Sequence, residues 1–326
     1  MNRGPSHAGG LPAWERLVFG VLFALMAAFV VAVGVSAARS GPRDGPAGAG
    51  LPDGVPTLGG TAGSGLEQIA TGGAAGSGHL AHPRRTALLD RRLAAALRQH
   101  DRAYPGRLAV GVIDLSTGAE AVYGGGLRFR AGGIATADIL AALLLRSQQA
   151  ESSLTTGEAR LAVPMMDSGD ESAASSIWRM AGAGPTVAAA NRQLGLSHTK
   201  IGSARSWDST RTTVTDQLRL LADLTSATSP LSSASRDYEL GLMGDAQPSQ
   251  RWGVCALAGP GTGCALSDGS VPGPASWTVN SIGVVEHRGH RLLIAVLSDD
   301  CATRQAGIAE ISAAARAAAK VMTRAA

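Results

Sequence analysis

Lysine is nearly missing from this chain: of its 29 basic residues only Lys200 and Lys320 are lysines. Chemistry that needs a lysine amine is confined to those two places. Aromatic side chains make up only 4% of the 326 residues and the arginines are scattered, so the basic stripe with interleaved aromatics of a nucleic-acid binder is missing. No nucleic acid is expected as a partner, despite the net charge of +4. Three cysteines, Cys255, Cys264 and Cys301, are too few for a disulfide scaffold and lack metal-ligand spacing, so neither a metal nor another cofactor is implied. What the chain has instead is small residues. Its 43 glycines, within a composition that is 45% hydrophobic, suit a globular core filled largely by short side chains.

Between Leu17 and Ala38 charge disappears altogether. At about 1.5 Å per residue this run gives roughly 33 Å of helix, enough to cross the hydrocarbon core of a bilayer. The expectation is a short cytoplasmic tail over 1–16, a transmembrane signal anchor over 17–38, and a single-pass protein of the cell membrane with its domain on the extracytoplasmic side. The alternative is secretion after cleavage near Val35-Ser36-Ala37, against which the length of the apolar run speaks. Residues 39–82 read as a flexible tether. They carry prolines at 42, 46, 52 and 56, abundant glycine and few large apolar side chains, too little buried surface to offset the entropy of ordering the chain.

Periodicity begins near Pro83 and continues to the end, giving one domain over 83–326. Leu89, Leu93 and Leu97 predict an amphipathic helix, and Arg107–Leu115 a strand that stops at Ser116-Thr117-Gly118, with Glu120–Tyr123 returning beside it. A helical middle follows over Ile134–Arg146, Glu158–Met166, Glu171–Met180, Pro185–Leu194 and Asp216–Thr225, with Pro185 in a first turn and Thr215 as a cap. Trp277–Glu286 and His290–Leu297 are strands about the turn Arg288-Gly289, and Ile308, Ile311, Ala315 and Met322 mark one face of a last helix. The order predicts an α/β (α+β) fold: a five-stranded antiparallel sheet built from both ends of the domain, flanked by the terminal helices, with an all-α insert.

Several segments carry a resemblance: Ala137-Asp138-Ile139-Leu140-Ala141-Ala142-Leu143, Trp178, Asn191-Arg192-Gln193-Leu194-Gly195-Leu196, Asp216-Gln217-Leu218, Arg251-Trp252-Gly253-Val254 and Val279-Asn280-Ser281-Ile282-Gly283. With them the chain resembles the class A β-lactamases and penicillin-interacting serine hydrolases, in an actinobacterial type. The resemblance implies three motifs: Ser-x-x-Lys opening a helix, Ser-Asp-Asn on a loop and Lys-Thr-Gly on a strand. Serine and lysine three apart share a helical face, which lets the amine help remove the hydroxyl proton. In register with Asp138-Ile139-Leu140, the nucleophile falls on Gly133 and the lysine on Thr136, neither of which can do that work. The loop motif falls on Gly169-Asp170-Glu171 and the strand motif on Ser267-Asp268-Gly269. There is no serine between Thr117 and Arg146 and no glutamate between Glu171 and Glu239 to act as deacylating base.

The resemblance therefore implies a pseudoenzyme of the family, with no catalytic residue and with Gly133, Thr136, Gly169, Asp170, Glu171, Ser267, Asp268 and Gly269 as vestigial positions. It is read as a binding or scaffold protein for a cell-envelope peptide or protein; the alternative is an enzyme of the family with non-standard catalytic residues. Carboxylates in place of an amide and beside a lost cation predict an acidic groove. Other patterns carry less. Ser197-His198-Thr199-Lys200 matches Ser-x-x-Lys but follows the end of a helix, His287 and His290 flank a turn, and Asp167, Asp170 and Glu171 suit the start of a helix. Cys255 and Cys264 bracket the turn signal Gly259-Pro260-Gly261, so an oxidising compartment permits a disulfide that leaves Cys301 odd.

Overall fold

The computed structural model describes residues 83–324 apart from 105, 204–205 and 260–261. The expected tail, membrane span and tether lie outside the described residues, among which no helix is long and apolar enough to cross a membrane.

Helix α1 (Pro83–Ala103) buries the leucine stripe Leu89, Leu93 and Leu97. The hairpin β1 (Arg107–Asp114) and β2 (Ala119–Tyr123) follows, its turn tied by Asp114, which accepts from the Ser116 amide at 2.9 Å and the Thr117 hydroxyl at 2.8 Å. On its outer side β2 meets α1, whose Asp90 accepts from the Val122 amide at 2.7 Å. The chain then leaves the sheet through the short β3 (Phe129–Arg130) and a single 3-10 turn, Gly132–Ile134. The helical part comprises α2 (Ala135–Gln149), α3 (Thr156–Asp167), α4 (Glu171–Met180), α5 (Ala183–Gln193), α6 (Val214–Thr225) and α7 (Ser233–Gly244). Ahead of α6, β4 (Arg211–Thr212) pairs with β3. Strands β5 (Cys264–Pro272), β6 (Trp277–His287) and β7 (His290–Cys301) complete the sheet, and α8 (Arg304–Thr323) closes the domain. The antiparallel sheet runs β2-β1-β7-β6-β5.

Strand β7 shows why this order holds together. Leu292, Ile294 and Val296 point to the core made with α1 and α8, while Leu293, Ala295 and Leu297 join the core of the helical part. Side chains alternate along a strand, so a nearly continuous apolar run is what a strand covered on both faces requires.

The structure corrects two details. Thr213, not Thr215, caps α6, accepting from the Asp216 amide at 3.2 Å. Thr213→Ala is expected to cost about 1–2 kcal/mol in denaturant unfolding, whereas Thr215→Ala at an exposed position stays within about 0.5 kcal/mol. Helix α7 is additional to the expected set. Its buried face is Glu239, Leu242 and Met243, so a glutamate interrupts the apolar period that would have announced it. Cys255 and Cys264 are joined by a disulfide with their Cα atoms 5.8 Å apart, and Cys301 is a buried free thiol.

Candidate functional site

Where the edge strand β5 faces the helical part lies a groove of about 470 Å³. Gly133, Thr136, Gly169, Glu171 and the Ser267-Asp268-Gly269 segment all line it, so the three stretches singled out in the sequence converge. Asp170 does not line it. It is the N-cap of α4, accepting from the Ser172 amide at 2.8 Å and the Ala173 amide at 2.9 Å, donors that hold its carboxyl below the usual range.

The approach to α2 sets the geometry. Ala131 is fixed to the loop before β4 by its amide, which donates to the Thr210 carbonyl at 2.8 Å, and the buried Asn280 donates to the carbonyls of Arg130 and Ala131 at 2.7 and 3.0 Å. Gly132 then takes φ +57°, a left-handed conformation that glycine adopts without strain. This bend presses Gly133 onto β5. A Cβ on Gly133 would lie 2.5 Å from the Asp268 carbonyl oxygen and 2.9 Å from the Gly269 Cα, and a Cβ on Gly269 would lie 2.4 Å from the Gly133 nitrogen. Two backbones fill the volume in which a side chain at 133 would stand.

Three residues on, the buried Thr136 donates its hydroxyl to the Gly133 carbonyl at 2.7 Å and faces the Ser267 hydroxyl at 3.5 Å. The pair is neutral, with neither a base nor a cation. Next to it, Asp268 has Oδ1 shut off from solvent without a partner, while its Oδ2 accepts weakly from the Trp252 amide at 3.3 Å. Burial pushes this carboxyl well above the usual carboxylate range, with Ser281, Trp252 and Arg304 opposing. It is held towards its uncharged form.

The acidic groove that the three segments imply is corrected by residues arriving from elsewhere. Arg130 reaches the groove from β3 and Arg304 from the first turn of α8, where its Nε donates to the Ser270 hydroxyl at 3.0 Å and its guanidinium lies 5.6 Å from the Trp252 ring centre. The groove is also lined by Glu171 and Asp208, both exposed. The groove therefore carries charges of both signs. Asp208 escaped the sequence reading, which sought a glutamate. The signal was its neighbour Trp207, buried in the loop before β4 with Nε1 donating to the Ser175 hydroxyl at 3.2 Å.

The remaining motifs lie apart from the groove lining. Ser197–Lys200 does not open a helix: His198 and Thr199 bond to Asp216, and Lys200 bridges Arg211 through its backbone. His290 meets Asp114 at 3.0 Å while His287 faces the Leu257 carbonyl at 3.3 Å, so the two serve different contacts.

The sequence model described as the Beta-lactamase enzyme family matches residues 159–322. Among solved structures, a class A β-lactamase from Bacteroides cellulosilyticus DSM 14838 has a TM-score of 0.64 at 12% identity, covering 72% of this chain and 99% of its own. A β-lactamase from Burkholderia vietnamiensis has a TM-score of 0.62 at 21% identity, covering 76% and 100%. One from Xanthomonas campestris pv. campestris str. ATCC 33913 reaches 0.61 at 20%, covering 72% and 98%. At such identities the likeness concerns the fold. No curated protein matches the sequence.

Proposed function

The chain belongs to the β-lactamase enzyme family, and from that premise we propose that it is a pseudoenzyme of actinobacterial type with degenerate motifs. In this reading it is a membrane-anchored, extracytoplasmic binding or scaffold protein of the cell envelope, and its groove holds a ligand without acylation. The observation that carries the reading is the contact of the Gly133 backbone with Asp268 and Gly269, which leaves no volume for a nucleophile at the head of α2. The neutral Thr136–Ser267 pair supports it, since a serine hydroxyl is unreactive at neutral pH without an adjacent base. With Arg130, Arg304, Glu171 and Asp208 lining one groove, the ligand that fits is dipolar, a peptide bearing both a free carboxylate and an amine.

One observation favours the second reading, an enzyme with non-standard residues: the exposed Asp208 carboxylate in the groove, which is placed to activate a water. Incubation of the protein with a fluorescent penicillin and with a chromogenic cephalosporin separates the two. The pseudoenzyme gives no covalent adduct and no turnover. An adduct mapped to any serine, or hydrolysis abolished by Asp208→Asn, would establish an enzyme instead.

A further inference from the structure

Among the described side chains, the cleft between the two terminal helices gathers charge of one sign. Arg316 and Lys320 of α8 and Arg324, its C-cap residue, follow at four-residue spacing along one face. Arg92 of α1 lines the same open cleft of about 670 Å³, over a floor that includes Ala317 and Val321. All four cations are exposed, and none belongs to an ion pair among the described residues. No carboxylate lines the cleft among the described residues. Asp90 of α1 is drawn towards β2 by the Val122 amide, and Glu310 of α8 is buried beside Cys301. Further along α1, Arg84, Arg85, Arg91 and Arg98 are also exposed. Residues scattered in the sequence thus gather on one surface of the fold.

We propose that this α1–α8 face docks on the anionic lipid headgroups of the membrane. A cationic cleft without a counter-charge matches a negatively charged bilayer surface, near which each lysine or arginine adds roughly five-fold to partitioning at low salt. Among the described residues the floor holds small aliphatic side chains and no aromatic ring on which nucleotide bases would stack. Chain order supplies the second argument, resting on the reading of residues 17–38 as an anchor. Only the 44 residues of 39–82 separate that run from α1. If those residues form the tether read from the sequence, a glycine-rich stretch of that length spans about 37 Å end to end. The domain is then confined near the bilayer at high effective concentration, where weak electrostatic attraction suffices.

Lys200 and Lys320 are the only lysines and both are exposed, which provides a test with a built-in control. The full chain is reconstituted into phosphatidylcholine vesicles with and without phosphatidylglycerol, acylated with a membrane-impermeant amine reagent and mapped by mass spectrometry. Labelling of Lys320 relative to Lys200 should fall about ten-fold on the anionic vesicles and recover at high salt, where screening shortens the reach of the charges. In Arg316→Gln/Arg324→Gln, two exposed changes that remove charge without placing a carboxylate at the C-terminal end of α8, the protection should vanish. Equal labelling of Lys320 on both vesicles overturns the proposal. So does protection by a DNA or RNA oligonucleotide without protection by anionic vesicles, which would assign the face to nucleic acid. Flotation with neutral vesicles reads the anchor separately: if it fails while anionic vesicles still protect Lys320, the span reading falls and the docking face stands.

Discussion

Gly133→Ser combined with Thr136→Lys leaves the protein unlabelled by fluorescent penicillin and lowers its stability by about 4 kcal/mol. The serine Cβ alone would enter within 2.5 Å of the Asp268 carbonyl oxygen and 2.9 Å of the Gly269 Cα. Both are backbone atoms of a strand paired along its length with β6, so relief requires β5 itself to move. Overpacking of this kind costs roughly 1–3 kcal/mol. Lysine at position 136, which is 6% exposed beside the Ser267 hydroxyl, has to desolvate its amine, and the neighbouring Asp268 carboxyl is itself held towards its uncharged form. A neighbouring glycine supplies the control. Gly126 is exposed with nothing within 4 Å of its would-be Cβ, so Gly126→Ser should change the denaturation midpoint little. If the double variant formed an acyl adduct while keeping wild-type stability, β5 would have to yield readily and the closed groove would be refuted.

Stability should fall steeply as pH rises from about 4 to about 8, by about 4 kcal/mol from one group alone. Asp138, on the first turn of α2, is fully buried, and its carboxyl is pushed up to about 7 by burial first, against the stabilising Gln217 amide and with the Asp216 charge adding to the rise. From α7, Glu239 is buried with both oxygens unpartnered, and burial together with Asp138 holds it well above the usual range. Asn191 of α5 completes the surroundings. Each group has a folded pKa above its unfolded value, near 4. The folded state therefore binds more protons, and the stability it gains is fully present below about pH 4 and lost as pH passes through about 7. Urea titrations at a series of pH values give the slope directly. Asp138→Asn, which keeps the shape and an acceptor for Gln217, should flatten the profile and stabilise the domain by about 2 kcal/mol or more at pH 8. A wild-type profile flat across that window would remove the argument.

Those two carboxyls also show where sequence reading stops. The hairpin of β1 and β2, the last two strands and the terminal helices are legible because the strands are short, nearly continuous apolar runs bounded by turn signals, as cores on both faces of the sheet require, and the helices keep an apolar period of about four. Helix α7 is not, because Glu239 sits where its pattern needs an apolar residue. Within the groove, the segments around 133, 169 and 267 were placed by motif register. Arg130 and Arg304 were not, since they enter from β3 and α8 and their convergence depends on tertiary packing alone. The pressing of Gly133 on Gly269 is likewise a property of two distant backbones, visible in neither segment by itself.

The two outer strands of the sheet bear on self-association. An end strand with open amides and carbonyls invites another chain to add to it, and proteins avoid aggregation by blunting such edges. Here the Asp90 side chain takes the outward Val122 amide of β2, and the Gly132–Ile134 turn lies against the middle of β5. One amide of the β2 edge is therefore taken by this chain's own side chain, and a glycine turn crowds the middle of β5. A second copy that added a strand would have to displace the Asp90 carboxylate at β2 or pass the glycine turn at β5, so each outer strand carries a local hindrance to strand-by-strand polymerisation.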